Sequence, residues 1–310
     1  MKIVIAGGTG FIGREVCRVL IDEGHSIIVL TRNPENHTGS ASPQSRFVQW
    51  DGVTLGPWVQ ECEGATALIN LSGAPIADSR WTDKRKQTLI DSRVQPTQAL
   101  LRAIPTWKNK PHTLISASGI GFYGARGEEE LNESSTPGKG FLSDLSQVWE
   151  NTAMEAEALG LRVIPIRFGM VLGPDCGALS KMTLPFRLFL GGPVLPGTQY
   201  VSWIHRNDLA RLILFVIAHS TVIGPVNGVA PETVTMRDFC TTLGRTMNRP
   251  SWFPVPEFVL KIALGELSTM LTTGQRVHPQ KALDSGFSYS YPTLQEALQS
   301  IFGKSSTQGT

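Results

Sequence analysis

The stretch KIVIAGGTGFIG, residues 2–13, decides the fold of this 310-residue chain. KIVIA is a short β-branched run that predicts a buried strand, and a glycine-rich turn follows it. REVCRVLIDEGH (14–25) predicts an amphipathic helix that Gly24 stops, and SIIVLTR (26–32) predicts the next strand. The first 32 residues are therefore predicted to form one β-α-β unit.

The glycine spacing in this turn is typical of a dinucleotide site. Gly7 permits the tight turn, Gly10 leaves room for a pyrophosphate, and Gly13 lets the helix pack against the strand. The helix N-terminus then offers N–H groups and partial positive charge to phosphate. We expect these glycines to bind the cofactor together with Thr9, Phe11 and Ile12. A simple glycine-rich turn is the alternative, but the strand, helix and second strand favour the dinucleotide site.

The end of the second strand predicts which cofactor is bound. An acidic residue there would bind the ribose 2′-hydroxyl of NAD, but the residues are Thr31, Arg32 and Asn33. A guanidinium suits a 2′-phosphate, so we predict NADP(H), with Thr31 and Arg32 in its site. The alternative is that Arg32 is a solvated surface residue.

Strands and helices continue to alternate along the chain. RFVQWDG (46–52), TALINLSG (66–73), HTLISASG (112–119) and LRVIPIRFG (161–169) predict strands three to six. A long helix is predicted over residues 84–104, with a kink at Pro96. This alternation predicts an α/β fold of the Rossmann type, with a doubly wound parallel sheet and a smaller C-terminal substrate-binding lobe.

Ligands of such sheets bind at the carboxyl ends of the strands. Trp50 and Asp51 are placed to flank the adenine. The other residues that we assign to the cofactor are Leu71, Ser72, Gly73, Arg167 and Val171.

The organisation of the chain changes near residue 173. Residues 1–172 are predicted to form the NADP-binding domain, completed by about 203–230. The lobe is predicted over 173–202 and 231–303, and residues 304–310 are expected to be a flexible tail. Within the lobe, residues 257–277 predict an apolar helix that ends near Gly274.

Composition disfavours several classes of protein. The 28 basic and 26 acidic residues are scattered, so nucleic acid is not an expected partner. The sequence has no run of 18 apolar residues, so a membrane span is not expected. MKIVIAGG is predicted to be a strand rather than a signal peptide. The four cysteines lie far apart, which indicates reduced, buried thiols. No metal-ligand spacing is present, and we expect a cytoplasmic or similarly reducing compartment, such as stroma after processing.

The chain resembles extended short-chain dehydrogenases/reductases of the NAD-dependent epimerase/dehydratase group. GGTGFIG, SASGIGFYG and VSWIHRNDLARLI carry this resemblance. INLSGAPI, RFGMVLGPDCGAL and TTGQRVHPQKALDSGFSYSYPTLQEAL resemble an atypical subgroup, labelled epimerase family protein or SulA-like cell-division inhibitor. The resemblance implies a Rossmann domain with NADP(H) and an unknown substrate.

The catalytic pair typical of that superfamily is missing. Its members use a serine and a tyrosine four residues before a lysine, and the resemblance places this pair in FLSDLSQVWENTA (141–153), which contains neither tyrosine nor lysine. Leu142 or Leu145 stands for the tyrosine, and Ser146 or Trp149 for the lysine. Trp149 is interpreted either as core or as a wall of the cofactor site.

Other residues are candidates for the chemistry. Tyr123 is a candidate proton donor or a substrate-packing residue, and Ser118 is the hydroxyl nearest to the expected serine position, Gly119. The resemblance places Trp203 and His205 near the substrate, although such a histidine is more often structural. Arg276 is a candidate clamp for an anionic substrate, with surface or structural pairing as the alternative.

Two functional hypotheses follow. The first is an NADP(H)-dependent oxidoreductase or epimerase-like enzyme of unknown small-molecule substrate with a non-standard proton donor. The second is an NADP(H)-binding regulator or redox sensor with weak or no turnover, acting on a protein partner and linked to cell or organelle division. A scaffold without cofactor is disfavoured by the intact glycines and by Arg32.

Overall fold

A computed structural model describes residues 1–40, 42–174 and 177–303 of the chain. The predicted tail, 304–310, and Cys176 lie outside these ranges. The strands, in chain order, are β1 Lys2–Ala6, β2 Ser26–Thr31, β3 Ser45–Gln49, β4 Ala67–Asn70, β5 Thr113–Gly119, β6 Glu130–Leu131, β7 Arg162–Phe168, β8 Met170–Leu172, β9 Tyr200–Val201, β10 Trp203–His205, β11 Val226–Gly228, β12 Val234–Thr235 and β13 Arg276–Val277.

Helices separate most of these strands. In chain order they are α1 Phe11–Asp22, α2 Trp58–Cys62, α3 Asp83–Ala103, α4 Phe141–Met154, α5 Gly177–Arg187, α6 Arg206–Ala218, α7 Met236–Met247, α8 Glu257–Leu264, α9 Thr269–Thr272, α10 Gln280–Asp284 and α11 Leu294–Phe302.

The central sheet has seven strands in the order β11-β7-β5-β4-β1-β2-β3. Every neighbouring pair in this sheet is parallel. The chain builds outward from β1 to β3 on one side, then returns to β4 on the other side. A parallel sheet whose strand order reverses in this way forms a crevice at the carboxyl ends of the strands beside the reversal. The predicted Rossmann-type α/β fold is confirmed.

Two apolar layers cover the faces of this sheet. Ile3, Ile5 and Val29 on one face pack with α1 and α6, while Val4, Leu68 and Leu114 on the other face pack with α2, α3 and α4. The sequences of parallel strands that are covered on both faces are continuous apolar runs rather than alternating apolar and polar residues. This burial explains why the strands were recognisable in the sequence.

The second half of the chain contains a further core. Phe186, Trp203, Phe239 and Leu298 are buried together, which joins α5, β10, α7 and α11. The helix α6 instead packs on α1 beside the central sheet. The predicted domain limits stay a prediction.

Two predicted elements differ in detail. Residues 257–277 do not form one helix, because α8 ends at Leu264 and Gly265 takes a positive φ of 61°. A 3-10 turn then leads into α9. The segment 141–153 forms α4, which ends at Met154 and is followed by a 3-10 helix to Leu159. The helix α3 runs through Pro96 without interruption.

Three of the four cysteines lie in the described ranges, and all three are free thiols. Burial raises the pKa of Cys17, Cys62 and Cys240 to about 12, so they are protonated at neutral pH. Within the same ranges, every helix is too short or too polar to cross a bilayer.

Candidate cofactor and active site

The glycine-rich turn between β1 and α1 has the geometry expected of a phosphate-binding turn. Gly7 has φ +79°, and a Cβ there would lie 2.7 Å from the backbone carbon of Leu71. A Cβ on Gly13 would lie 2.2 Å from the carbonyl oxygen of Gly7. A Cβ on Gly10 would meet only that same oxygen, at 3.3 Å, so its outer side is open. The turn therefore leaves the approach to the N-terminus of α1 free for a phosphate.

The end of β2 presents a cation and no carboxylate. Thr31 is half-buried, and its hydroxyl accepts a hydrogen bond from the Asn33 amide at 3.4 Å. The side chain of Arg32 is exposed, and no ion pair holds it within the described residues. A guanidinium can bind a phosphate through two parallel hydrogen bonds, and the contact of Arg32 with a 2′-phosphate stays a prediction.

The side chains of Trp50 and Asp51 make contacts within the protein. Trp50 is 5% exposed and packs against Trp58, with ring centroids 5.4 Å apart. The Asp51 carboxylate accepts hydrogen bonds from the Val53 and Thr54 amides and from the Thr54 hydroxyl. The burial of Trp50 disfavours stacking of its ring on the adenine, because a ring enclosed in the core presents little surface, but the contact itself stays a prediction. For Asp51, contact with the adenine stays a prediction.

The loop after β4 leads to α3 and lies against the phosphate turn, since Leu71 is next to Gly7. The Leu71 amide donates to the carbonyl of Ala6, and the Ser72 amide donates to Asn70 Oδ1 at 3.1 Å. Asn70 is fully buried and also donates to the Thr97 hydroxyl on α3. These bonds hold the loop that contains Leu71, Ser72 and Gly73, the residues predicted to contact the cofactor. Asn70, which positions this loop, was not predicted from the sequence.

Arg93 lies below this loop and was also missed. It is 5% exposed, and its guanidinium donates to the carbonyls of Ala74 and Leu89. Its Cζ stacks over the Trp149 ring at 4.9 Å, and its Nε has no hydrogen-bond partner. Burial, and then repulsion from Arg85, lowers the pKa of Arg93 to about 10, so it stays charged at neutral pH. Its position in the middle of a helix gave no sequence signal.

A buried polar network joins both catalytic candidates. The Ser118 hydroxyl donates to Glu150 Oε1 at 2.6 Å, and Arg167 donates to the same carboxylate from Nε and Nη2, each at 2.8 Å. Arg167 Nη1 donates to the Tyr123 hydroxyl at 2.9 Å, and Tyr123 donates to Asn227 Oδ1 at 2.7 Å. The network thus spans β5, α4, β7 and β11 at the carboxyl ends of the sheet.

This network changes how three predicted site residues are interpreted. The side chains of Ser118 and Arg167 are 3% exposed, and Tyr123 is fully buried. Burial raises the pKa of Tyr123, although the adjacent Arg167 opposes that shift. These contacts favour structural roles, because all three polar groups already bind protein partners. Glu150, whose carboxylate organises the network, was not predicted from the sequence.

The face of α4 where the tyrosine and lysine would lie carries mainly apolar side chains. A Cβ on Gly121 would lie 2.9 Å from the Leu142 Cβ, so Leu142 covers the segment after β5. Leu145 is buried with Trp81, Leu89 and Leu267, and Trp149 lies under Arg93. Ser146 is also buried. Trp149 is therefore buried beside a cation, which favours its interpretation as core, and its role as a wall of the cofactor site stays a prediction.

The remaining predicted residues lie at the junction with the second half of the chain. Phe11 stacks with Arg206 at 5.2 Å, and Ile12 and Val171 pack on the sheet core. Trp203 is fully buried in the lobe core, which favours a structural role, and its substrate contact stays a prediction. Arg276 pairs with Glu130 at 3.0 Å and lies over Tyr200, while staying 35% exposed, so its role as an anion clamp remains a prediction.

His205 caps α6 rather than standing free in a cleft. Its Nδ1 accepts from the Asn207 amide at 3.2 Å, and its Nε2 lies 3.3 Å from the Ser300 hydroxyl on α11. Burial lowers the pKa of His205 to about 4. Its neighbour Asp208 is fully buried and accepts from the Ser290 and Tyr291 amides, which anchors α6. His205 therefore acts as a neutral structural residue here, and substrate contact stays a prediction.

Metal ligation has no support within the described ranges. No group of three or more histidine, cysteine or acidic side chains is placed to hold a metal ion there.

The fold and the turn define a Rossmann-type dinucleotide-binding protein of the epimerase class. The family model for the NAD dependent epimerase/dehydratase family matches residues 3–227, and a domain of unknown function, DUF1731, matches residues 255–301. The chain belongs to the NAD dependent epimerase/dehydratase family. The predicted family resemblance is thus confirmed.

Several relatives are similar over nearly their whole length. The epimerase family protein YfhF of Bacillus subtilis is 39% identical over 308 residues, covering 99% of this chain and 100% of the relative. A chloroplastic epimerase family protein, the SDR39U1 homolog of Arabidopsis thaliana, is 37% identical, covering 97% and 86%. The crystal structure of human epimerase family protein SDR39U1 (isoform2) with NADPH matches with TM-score 0.85 and 32% identity, covering 97% of this chain and 99% of that one.

Proposed function

We propose that this protein binds NADP(H) and transfers hydride to a small acceptor without a tyrosine–lysine proton donor. The proposal rests on two features together: an open glycine turn, and an exposed Arg32 at the end of β2 that forms no ion pair with the described residues. Arg32 would hold the 2′-phosphate, and the amides at the start of α1 would hold the pyrophosphate. The human relative whose structure contains NADPH supports this choice of cofactor.

The sheet order supports the direction in which the cofactor lies. The phosphate turn follows β1, the 2′-phosphate residue follows β2, and the chain reversal places β4 and β5 on the other side of β1. A dinucleotide whose adenosine ribose lies over β2 extends its nicotinamide half over β4 and β5. That half then lies near the loop 71–74 and the apolar face of α4.

The nature of the acceptor follows from what surrounds that position. NADPH supplies the hydride when bound, while the protein supplies orientation and shields the site from water. Leu142 or Leu145 stands where the tyrosine would be, and Ser118 and Tyr123 bind protein partners. An acid or base typically contributes about 10²–10⁴-fold to a rate, so its absence slows a reaction rather than forbidding it. An acceptor that stabilises its own negative charge, such as a quinone or flavin-like compound, depends least on that help.

A direct titration tests the cofactor assignment. Calorimetry should show NADPH binding more tightly than NADH, and Arg32→Ala should weaken NADPH binding about tenfold while leaving NADH unaffected. Arg46→Ala is the matched control, since Arg46 is an exposed arginine at the opposite end of the neighbouring strand, paired with Glu61 at 2.6 Å. Equal affinity for the two cofactors, or no change in Arg32→Ala, would contradict the proposal.

A second function, an NADP(H)-binding regulator without turnover, is favoured by the apolar face of α4. An acceptor screen with quinones and carbonyl compounds separates the two functions. Oxidation of NADPH by any acceptor supports the reductase. Tight NADPH binding with no oxidation supports the regulator, whose partner would then be sought by cross-linking in the presence of NADPH.

A further inference from the structure

Arg93 carries a positive charge that no acidic group within the described ranges neutralises. It is 5% exposed, and its hydrogen bonds go to backbone carbonyls of Ala74 and Leu89 and, at 3.4 Å, to the Ser92 hydroxyl. A buried cation of this kind is costly unless another group interacts with it. Its Nε is buried and has no hydrogen-bond partner, so the guanidinium keeps unused donor capacity.

The position of Arg93 links it to the nicotinamide half of the proposed site. A Cβ on Gly73 would lie 3.1 Å from Arg93 Cζ, so the guanidinium lies directly against the loop that follows β4. The same loop touches Gly7 through Leu71. The sheet order puts this loop on the side of β1 away from Arg32. Arg93 thus belongs to the end of the cleft opposite the 2′-phosphate.

Trp149 fixes the guanidinium at this end. The Trp149 ring lies under Arg93 Cζ at 4.9 Å, from the face of α4 that carries no lysine. Stacking on an aromatic ring favours a planar cation without neutralising its charge. The site therefore has a cation on α3 beside an indole on α4.

We infer that Arg93 is a cofactor-positioning residue whose charge makes the site hold NADPH more tightly than NADP⁺. The inference rests on the proposed function. The oxidised nicotinamide ring carries a positive charge and the reduced ring is neutral, while the rest of the two molecules is the same. A fixed buried cation beside the ring repels only the oxidised form, and low local dielectric strengthens the repulsion. The site thereby discriminates between redox states, and its occupancy follows the ratio of NADPH to NADP⁺.

The test compares the dissociation constants of the two redox states by calorimetry. The wild-type protein should prefer NADPH on the order of tenfold or more, and Arg93→Met should bring the ratio close to one, mainly by tightening NADP⁺. Arg93→Lys keeps the charge and should keep most of the preference. Arg102→Met is the matched control, because Arg102 lies at the far end of α3 and likewise donates to a loop carbonyl, that of Val53.

Adenosine 2′,5′-bisphosphate serves as a probe of folding, since it occupies only the Arg32 end of the site. If Arg93→Met binds this probe normally and keeps the wild-type preference, or loses both redox states by the same factor, Arg93 acts only as a structural tie and the inference is overturned. If Arg93→Met does not bind the probe, the test uses the wild-type protein and Arg93→Lys instead. Equal affinity of the wild-type protein for NADPH and NADP⁺ overturns the inference. A wild-type preference for NADPH that Arg93→Lys retains supports it. Failure of the wild-type protein to bind the probe or NADPH would instead refute the proposed function.

Discussion

Replacing Tyr123 by phenylalanine separates a structural tyrosine from a catalytic one. The Tyr123 hydroxyl is buried, donates to Asn227 Oδ1 and accepts from Arg167 Nη1. Phenylalanine keeps the ring but removes both bonds, so one amide oxygen and one guanidinium N–H lose their partner. Each buried group left without a partner costs about 1–3 kcal/mol. We therefore expect Tyr123→Phe to lower the free energy of unfolding by roughly 2–6 kcal/mol, a large part of the stability of a typical protein.

Urea denaturation measures this loss as a lower transition midpoint with an unchanged slope. Tyr289→Phe is the matched control. The Tyr289 hydroxyl is also buried but has no hydrogen-bond partner, and burial raises its pKa well above the usual range. Removing an unsatisfied polar group should leave stability unchanged or increase it. The two variants are thus expected to differ: Tyr123→Phe loses stability and Tyr289→Phe does not.

NADPH binding and oxidation by the Tyr123→Phe protein complete the assay. If the network is structural, the folded variant binds NADPH with wild-type affinity and keeps most of any acceptor-dependent oxidation. The reasoning fails if stability is unchanged and oxidation falls by about 10²-fold or more, since that pattern belongs to a proton donor in the transition state.

Two further predictions concern the phosphate turn and the cap of α6. Gly10→Ala should fold normally but lose NADPH binding, whereas Gly13→Ala should unfold at a much lower urea concentration, because its Cβ would lie 2.2 Å from the Gly7 oxygen. Circular dichroism measures the folding of both variants, and titration measures their NADPH binding. Normal NADPH binding by Gly10→Ala would contradict the assigned position of the pyrophosphate. His205 has its pKa lowered from 6.5 to about 4, so the unfolded state binds the proton first and stability should fall as pH drops from about 6.5 to 4. His205→Asn keeps a capping side chain and should remove that part of the pH dependence, and an equal decline in both proteins would refute the assignment.

The residues of the first β-α-β unit were predictable because their constraints are local. Gly7 and Gly13 are required by contacts within a few residues of the turn or with the neighbouring loop, and the buried strands consist of continuous apolar runs. Tertiary contacts decided the rest. Trp50 was interpreted as an adenine neighbour, yet Trp58 on the next helix turns it into core. His205 was placed near substrate by resemblance, and its contact with Ser300, almost a hundred residues away, explains its burial.

Polar residues in the middle of helices were the hardest to predict. Glu150 and Arg93 occupy helix positions where charged residues are usually solvated, so nothing local distinguishes them from surface charges. Only the fold brings Glu150 against Ser118 and Arg167 or places Arg93 beneath the loop after β4. The sequence showed that a tyrosine and a lysine were missing from α4 and which residues could replace them, but the contact of Trp149 with Arg93 required the structure.

The consequence of the missing pair depends on where charge develops after hydride transfer. Reduction of a simple ketone produces an alkoxide that needs a proton at once, and the two hydroxyls nearest in sequence, Ser118 and Tyr123, already donate to Glu150 and Asn227. Reduction of a quinone produces an anion delocalised over a ring, which survives until solvent protonates it. A buried guanidinium such as Arg93 would stabilise that anion by charge without giving up a proton, since its pKa of about 10 keeps it protonated. The absence of the tyrosine–lysine pair therefore predicts faster reduction of quinone-like acceptors than of ketones. This order of acceptors holds whether turnover is fast or slow.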